Sequence, residues 1–349
     1  MSAQEIPVAK PTPVRIFDTI QGYQRAYALK AAIELDVFTA IARGSHTSAE
    51  IARTCKASER GVRILCDSMV VMGLLMKSGD RYSLTQDTAF FLDRESPAYL
   101  GHALKFLMHP TQLTKFQHLP EAARRGGAID EEGTLAPEDP IWVEFARGMA
   151  PMMVPAAQAM AGLLQAELAS RPSAKILDIA ASHGIFGLTV AQRLPKAHIY
   201  ALDWANVLEV ARENAQRQGL GDRYHLVPGS ALDVDYGRDL DAVLITNLLH
   251  HFQPAENETI LKKSLAALRP GGQVIVLEFV PNEDRVSPPV PALFSLTMLG
   301  STPHGDAYTL AEYDVMFRNS GFEAPKLIPL EPMPQSLLVA RKPGGQGQA

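Results

Sequence analysis

The stretch Ile176-Leu177-Asp178-Ile179-Ala180-Ala181-Ser182-His183-Gly184-Ile185-Phe186-Gly187 decides the fold. A short apolar run closes on an acid, a turn of small residues follows, and a helical pattern begins, which reads as strand, turn, helix. Small residues in such a turn let a ligand approach the backbone, and the amides opening the helix can face a negative group. Working outward, further strands are expected at 198–202, 224–227, 242–246 and 274–279, after a first at 176–180. Helical stretches lie between them at 186–193, 207–218 and 255–268. Strands alternating with helices imply an α/β domain whose parallel sheet is covered on both faces. Beyond Thr309 come a helix to Asn319, a stop at Gly321, and strands near 326–330 and 336–340. The Gly/Gln-rich tail, 343–349, is expected to be disordered.

In such sheets the ligand sits at the carboxyl ends of the strands. Asp203 closes the second strand, where a carboxylate can accept both hydroxyls of a ribose. A nicotinamide dinucleotide is the natural rival, but it needs glycines where Ala180 and Ser182 stand. Asp178 would also repel its pyrophosphate. A cofactor carrying an ammonium and a sulfonium suits the acidic strand end, which points to S-adenosylmethionine.

Composition narrows the class. The chain has 349 residues, 46% hydrophobic and 20% charged, with a net charge of −5, the balance of a globular protein with a sizeable core. That charge provides no basic field for nucleic acid. Cys55 and Cys66 make neither a disulfide framework nor a zinc spacing, so no metal and a reducing, cytoplasmic setting are expected. No apolar run approaches a membrane span, and residues 1–13 lack the apolar core of a signal peptide.

The first half is helical. Ile16, Ile20, Tyr23, Tyr27, Ala31 and Leu35 recur at the spacing of one buried helix face. A second helix starts at Thr47 with Glu50 placed for a capping box. A third starts at Ser58 and buries Val62, Leu65, Cys66, Met69 and Val70. Leu74-Leu75-Met76, the Gly79-Asp80 turn and Tyr82-Ser83-Leu84 form a hairpin, which completes the outline of a winged helix. DNA binding would need uncompensated cations on the third helix, but Glu59 and Asp67 offset Arg60 and Arg63. A packing or dimerisation module is favoured. Residues 121–140 read as a solvated loop. Residues 141–168 read as a helix interrupted near Pro151 and Pro155, whose methionines serve either as core filler or as a ligand surface.

Several motifs together carry a family likeness. Ala28-Leu29-Lys30-Ala31-Ala32-Ile33-Glu34-Leu35-Asp36-Val37-Phe38 is similar to a known dimerisation segment, and Leu177-Asp178-Ile179-Ala180 with Gly184 to a first cofactor motif. Ala201-Leu202-Asp203 matches a ribose-binding acid, Asn247-Leu248-Leu249-His250-His251-Phe252 a catalytic segment, and Leu268-Arg269-Pro270-Gly271-Gly272 the loop before the fifth strand. Over residues 14–342 the chain resembles the two-domain O-methyltransferases of the caffeate and hydroxyindole type, which use S-adenosylmethionine. The resemblance implies a winged-helix dimerisation domain at 14–100, connecting helices that line the substrate pocket at 101–172, and a Rossmann-like class I methyltransferase domain at 173–342. That last domain should hold a mostly parallel seven-stranded sheet with its last strand antiparallel, and the protein should be a homodimer. The implied cofactor residues are Asp178, Ala180, Ser182, Gly184, Asp203, Trp204, Gly229, Ser230 and Asn247. The implied substrate residues are Phe145, Met149, Met152, His251 and Met298.

His250 matches the family's general base, and Glu278 the acid that orients it. Ser182 and Ser230 stand where the family has Gly and Asp, with Asp233 as a displaced substitute for the latter. The second acidic partner falls on Ala307, beside Asp306. Trp204 packs either near the adenine or in the core. The leading expectation is O-methylation of a hydroxyl on a small aromatic or polyketide-like metabolite. Other enzymatic readings keep the fold but methylate nitrogen or carbon, or use the cofactor without transfer. A metabolite-sensing winged-helix regulator is the reading from another class, and it requires the basic helix that is missing.

Overall fold

The computed structural model describes residues 11–130 and 136–344. The chain forms two compact units, one up to Leu104 and one from Lys105 onward.

In the first unit, Thr47 accepts the Glu50 N–H while the Glu50 carboxylate accepts the Thr47 N–H, which fixes the start of the helix Ser48–Thr54. Ser58 caps the helix Glu59–Val71 by accepting the Gly61 N–H at 3.1 Å. Strands β1 (Leu75–Ser78) and β2 (Arg81–Leu84) pair as an antiparallel hairpin. Phe38, Ile51, Val62, Cys66, Met69, Leu75 and Tyr82 form the buried core. Arg63 of that helix and Lys77 of the wing both pair with Asp67. The first expected helix departs from its pattern. It breaks at Gln21 into Val14–Ile20 and Gly22–Glu34, and Ile16, Ile20, Tyr23 and Tyr27 are 64%, 59%, 60% and 49% exposed. The apolar face exists, but none of the described residues covers it.

The second unit carries the large sheet. Strands β3 (Ala174–Ile179), β4 (Ala197–Asp203), β5 (Tyr224–Pro228), β6 (Leu240–Thr246), β7 (Leu268–Glu278), β8 (Lys326–Pro329) and β9 (Ser336–Arg341) lie in the order β5-β4-β3-β6-β7-β9-β8. β3 to β7 pair in parallel, and β9 runs antiparallel to both β7 and β8. Alternate side chains feed two cores. Ile176, Ala242, Leu244, Ile275 and Leu277 pack on one face, and Leu177, Ile179, Val243, Ile245, Val274 and Val276 on the other. The order reverses at β3, whose neighbours β4 and β6 leave on opposite sides, and a crevice opens at such a switch point. The quoted stretch, 176–187, therefore ends in that crevice.

Two helical readings change. The helix Ile141–Leu168 runs uninterrupted through Pro151 and Pro155. Each proline removes one backbone donor, but Met149, Met153, Ala156, Ala157 and Met160 are buried along the same face, so packing carries the helix onward. The helix Pro289–Ser301 has no counterpart in the sequence reading. Its stretch is apolar on every side, so no 3.6-residue rhythm marks it. The tail expected from 343 lies, from residue 345, outside the described residues. No helix among the described residues is long and apolar enough to cross a membrane.

Candidate active site

The turn after β3 winds through left-handed backbone at Ala180 (φ 57°), Ser182 (φ 51°) and Gly184 (φ 75°). Gly184 is the position that cannot change, because a Cβ there would stand 2.6 Å from the Tyr224 hydroxyl. Asp178 at the end of β3 is fully buried. One of its oxygens accepts the Gly187 N–H at 3.0 Å and the other has no partner. Burial, with Asp203 nearby, pushes its carboxyl up to about 7 against the opposing bond from Gly187. Asp203 at the end of β4 accepts the Ser182 N–H at 2.8 Å and the Trp204 N–H at 2.7 Å, and burial pushes it up to about 6. The Ser182 Oγ and the Tyr224 hydroxyl are buried without a hydrogen bond. Three unpartnered polar atoms and two raised carboxyls thus line one end of the sheet.

Around this end, Gly229 donates its N–H to the Asp203 carbonyl at 3.0 Å. The Ser230 hydroxyl accepts the Leu232 N–H at 3.1 Å, so it shapes its own turn, and Asp233 is exposed. Trp204, like Trp142 and Val143, packs against the buried cluster of Ala146, Val207 and Val210. Asn247, in left-handed backbone (φ 51°), places its amide 3.6 Å from the Met153 sulfur and 3.4 Å from the Gln335 amide.

The second cluster follows β6 and β7. Glu278, the last residue of β7, is fully buried. Its Oε1 accepts the N–H groups of Leu248, Leu249 and His250 at 2.9, 2.8 and 3.4 Å, and its Oε2 lies 2.5 Å from the His250 Nδ1. A carboxylate bonded by three backbone donors is held as an acceptor, so the Nδ1 N–H donates to it and Nε2 is the ring nitrogen left over. Among the described residues Nε2 makes no hydrogen bond. Phe294 stands edge-on to the His250 ring at 4.8 Å and stacks on Phe279 at 4.0 Å. Gly305 lets its loop pass the pair, because a Cβ there would lie 2.2 Å from the His250 carbonyl. His251 is buried 4.4 Å from the His250 ring and 5.4 Å from Trp142, and burial, then the charges of His250 and Lys115, lower its basicity well below the ordinary value.

The expected substrate wall is partly rearranged. Met298 is buried one helical turn beyond Phe294, and Phe145 stacks on His183 at 6.5 Å and meets Trp142 edge-on at 5.6 Å. Met149 is buried but Met152 is exposed. Met153, four residues beyond Met149, holds the inward face that Met152 was expected to share. Asp306 does not turn to His250. It pairs with Arg285 at 3.3 Å, and Arg285 also holds Glu312. Ala307 is fully buried. His183, Tyr224, Phe294 and Gly305 were not singled out from sequence. His183 sat inside the decisive stretch as a visible signal, and burial now lowers its basicity to about 4.

Comparison with known proteins agrees with this architecture. Residues 144–323 match the O-methyltransferase domain family, and residues 17–94 the O-methyltransferase dimerisation domain. The chain belongs to the O-methyltransferase family. A solved Nostoc punctiforme chain assigned as an O-methyltransferase is 49% identical, with a TM-score of 0.91 over 95% of this chain and 100% of that one. Human N-acetylserotonin methyltransferase shares the fold, at 21% identity and a TM-score of 0.81 over 97% of this chain and all of that one. A Streptomyces sahachiroi 3-hydroxy-5-methyl-1-naphthoate 3-O-methyltransferase is 26% identical over 92% of each chain. This O-methyltransferase is an S-adenosylmethionine-dependent enzyme with a winged-helix unit and a class I methyltransferase unit.

Proposed function

We propose that this O-methyltransferase methylates a hydroxyl of a small aromatic or polyketide-like metabolite, with His250 as the general base and Glu278 as the group that orients it. The observation that carries the reading is the 2.5 Å contact between the His250 Nδ1 and the Glu278 Oε2 at the ends of β6 and β7. It is supported by relatives whose names state aromatic and polyketide acceptors, the naphthoate enzyme above and a tetracenomycin polyketide 8-O-methyltransferase of Streptomyces glaucescens, 25% identical over 95% of this chain and 97% of its own.

The crevice at β3 fits the cofactor. Asp178, with one free oxygen, suits its cationic end, Asp203 its ribose, and the turn from Ala180 to Gly184 its amino-acid tail. Ser182, with an unpartnered hydroxyl, Trp204, Gly229, Ser230 and Asn247 complete the proposed set. When bound, S-adenosylmethionine supplies a methyl already activated for displacement. The protein contributes position and a proton acceptor. His250 takes the acceptor's proton at Nε2, and Glu278 stabilises the imidazolium that results, an effect of about 10²–10⁴-fold in rate. Phe145, Met149, His251, Met298 and Phe294 form the apolar wall that grips a flat ring and keeps water from the base. The exposed helix face near Tyr23 is the proposed homodimer contact, and the two unpaired cysteines accord with a cytoplasmic setting.

The test is a panel of phenols and hydroxylated polyketides with labelled S-adenosylmethionine. Label should appear on aromatic oxygen. Tight cofactor binding without label on any hydroxyl would overturn the proposal.

A further inference from the structure

Lys115 is a half-buried amine on the helix Pro110–Gln117. That helix packs against the Phe294-bearing helix: a Cβ built on Gly300 would stand 4.0 Å from the Lys115 Cβ. The charge of Lys115 reaches His251, whose ring touches that of His250.

Half-buried lysines elsewhere in the described chain all have partners. Lys30 meets Glu34 at 3.7 Å, Lys263 donates to the Leu232 carbonyl at 2.6 Å, and Lys342 to the Leu268 carbonyl at 2.6 Å. Lys115 makes no ion pair or hydrogen bond among the described residues. Burial lowers its basicity, and Asp139 and Asp130 oppose this only from longer range. Among the described residues no anion stands against this ammonium to repay its lost hydration. Trp142, Phe145 and Phe106 form an aromatic cluster that reaches His251, with Phe106 edge-on to Phe145 at 5.1 Å. That cluster and His250 both contact His251, the ring that the charge of Lys115 reaches.

We propose that Lys115 binds a carboxylate on the acceptor, so that the substrates are aryl hydroxy acids rather than neutral phenols. This rests on the function proposed above.

The experiment compares 3-hydroxy-2-naphthoate with 2-naphthol. Both are titrated by calorimetry into protein loaded with S-adenosylhomocysteine, and both are offered to the labelled cofactor. The naphthoate should bind about tenfold or more tighter, since a charge-assisted bond distinguishes the two. Lys115→Gln should erase that ratio and Lys115→Arg should keep it, each variant retaining its affinity for S-adenosylhomocysteine. Equal binding by the unaltered protein, or a ratio that survives Lys115→Gln, overturns the proposal. If Lys115→Gln weakens both ligands alike, the amine serves the shared hydroxyl and the carboxylate assignment falls. If the ratio behaves as expected but neither compound takes label, the lysine site stands and the acceptor reading above fails.

Discussion

The residues of the proposed site divide by how they reach it. Asp178, Asp203, His250 and Glu278 sit at or just beyond the ends of parallel strands, where topology alone directs them to the crevice, and so they could be read from the sequence. Tyr224, Phe294 and Gly305 reach the same places through long side chains or loop packing, which no local pattern encodes. The dyad makes a specific demand. His250→Ala should lower methyl transfer about 10²–10⁴-fold and leave cofactor affinity nearly unchanged. Glu278→Gln should be nearly as damaging, because an amide facing Nδ1 donates rather than accepts and moves the imidazole proton to Nε2, where it blocks the base. Labelled transfer beside cofactor titration checks both, and full turnover by either variant would remove the dyad from the reaction. Asp178 adds a pH dependence. Its carboxyl stands at about 7 in the free protein, and a cation beside it favours the ionised form. Binding must therefore expel a proton below pH 7, and affinity should fall as pH drops, by up to about tenfold per unit. The cofactor's amino group is already protonated there, so it contributes no opposing slope. Calorimetry in two buffers of different ionisation enthalpy should show proton release, and Asp178→Asn should flatten the profile.

At the scale of elements, the five strands from 174 to 278 were legible because each is a short apolar run bounded by turns. The helix Pro289–Ser301 was not, because an all-apolar segment has no periodicity. The continuous helix Ile141–Leu168 shows packing overriding a local rule, and it moves Met153 into the place expected for Met152. The turn 180–184 carries Ser182 where the resemblance implies a glycine, and the structure shows what that serine costs. Ser182 holds φ 51° and buries a hydroxyl without a partner. A non-glycine residue in that region costs about 1–2 kcal/mol. Ser182→Gly should therefore stabilise the protein and tighten cofactor binding, since it relieves the strain and frees space beside Asp203. Thermal melts with and without cofactor measure both effects. Weaker binding by the variant would show that the serine hydroxyl is a ligand contact rather than an obstruction.

At the scale of the molecule, one large feature of the first unit has no cover among the described residues. Val14, Ile16, Phe17, Ile20, Tyr23 and Tyr27 lie along two short helices with most of their surface in water. The spacing of Ile16, Ile20, Tyr23 and Tyr27 was legible as a buried face, but what buries it was not, because a sequence records periodicity and not the identity of the covering surface. Exposed apolar side chains grouped on neighbouring helices point to an association surface. The segment falls largely within the family's dimerisation domain, which makes a second copy of the chain the expected cover. Apolar contact of this kind is disrupted by a single charge, since an unpaired carboxylate in a closed interface loses its hydration without return. Ile20→Asp together with Tyr27→Asp should convert a dimer into a monomer at micromolar concentration. The variant should remain folded, because the core of that unit, from Phe38 to Tyr82, does not use these residues. Sedimentation velocity resolves the two states. An unaltered protein that sediments as a monomer, or a doubly charged variant that stays dimeric, would show that this face serves something other than self-association.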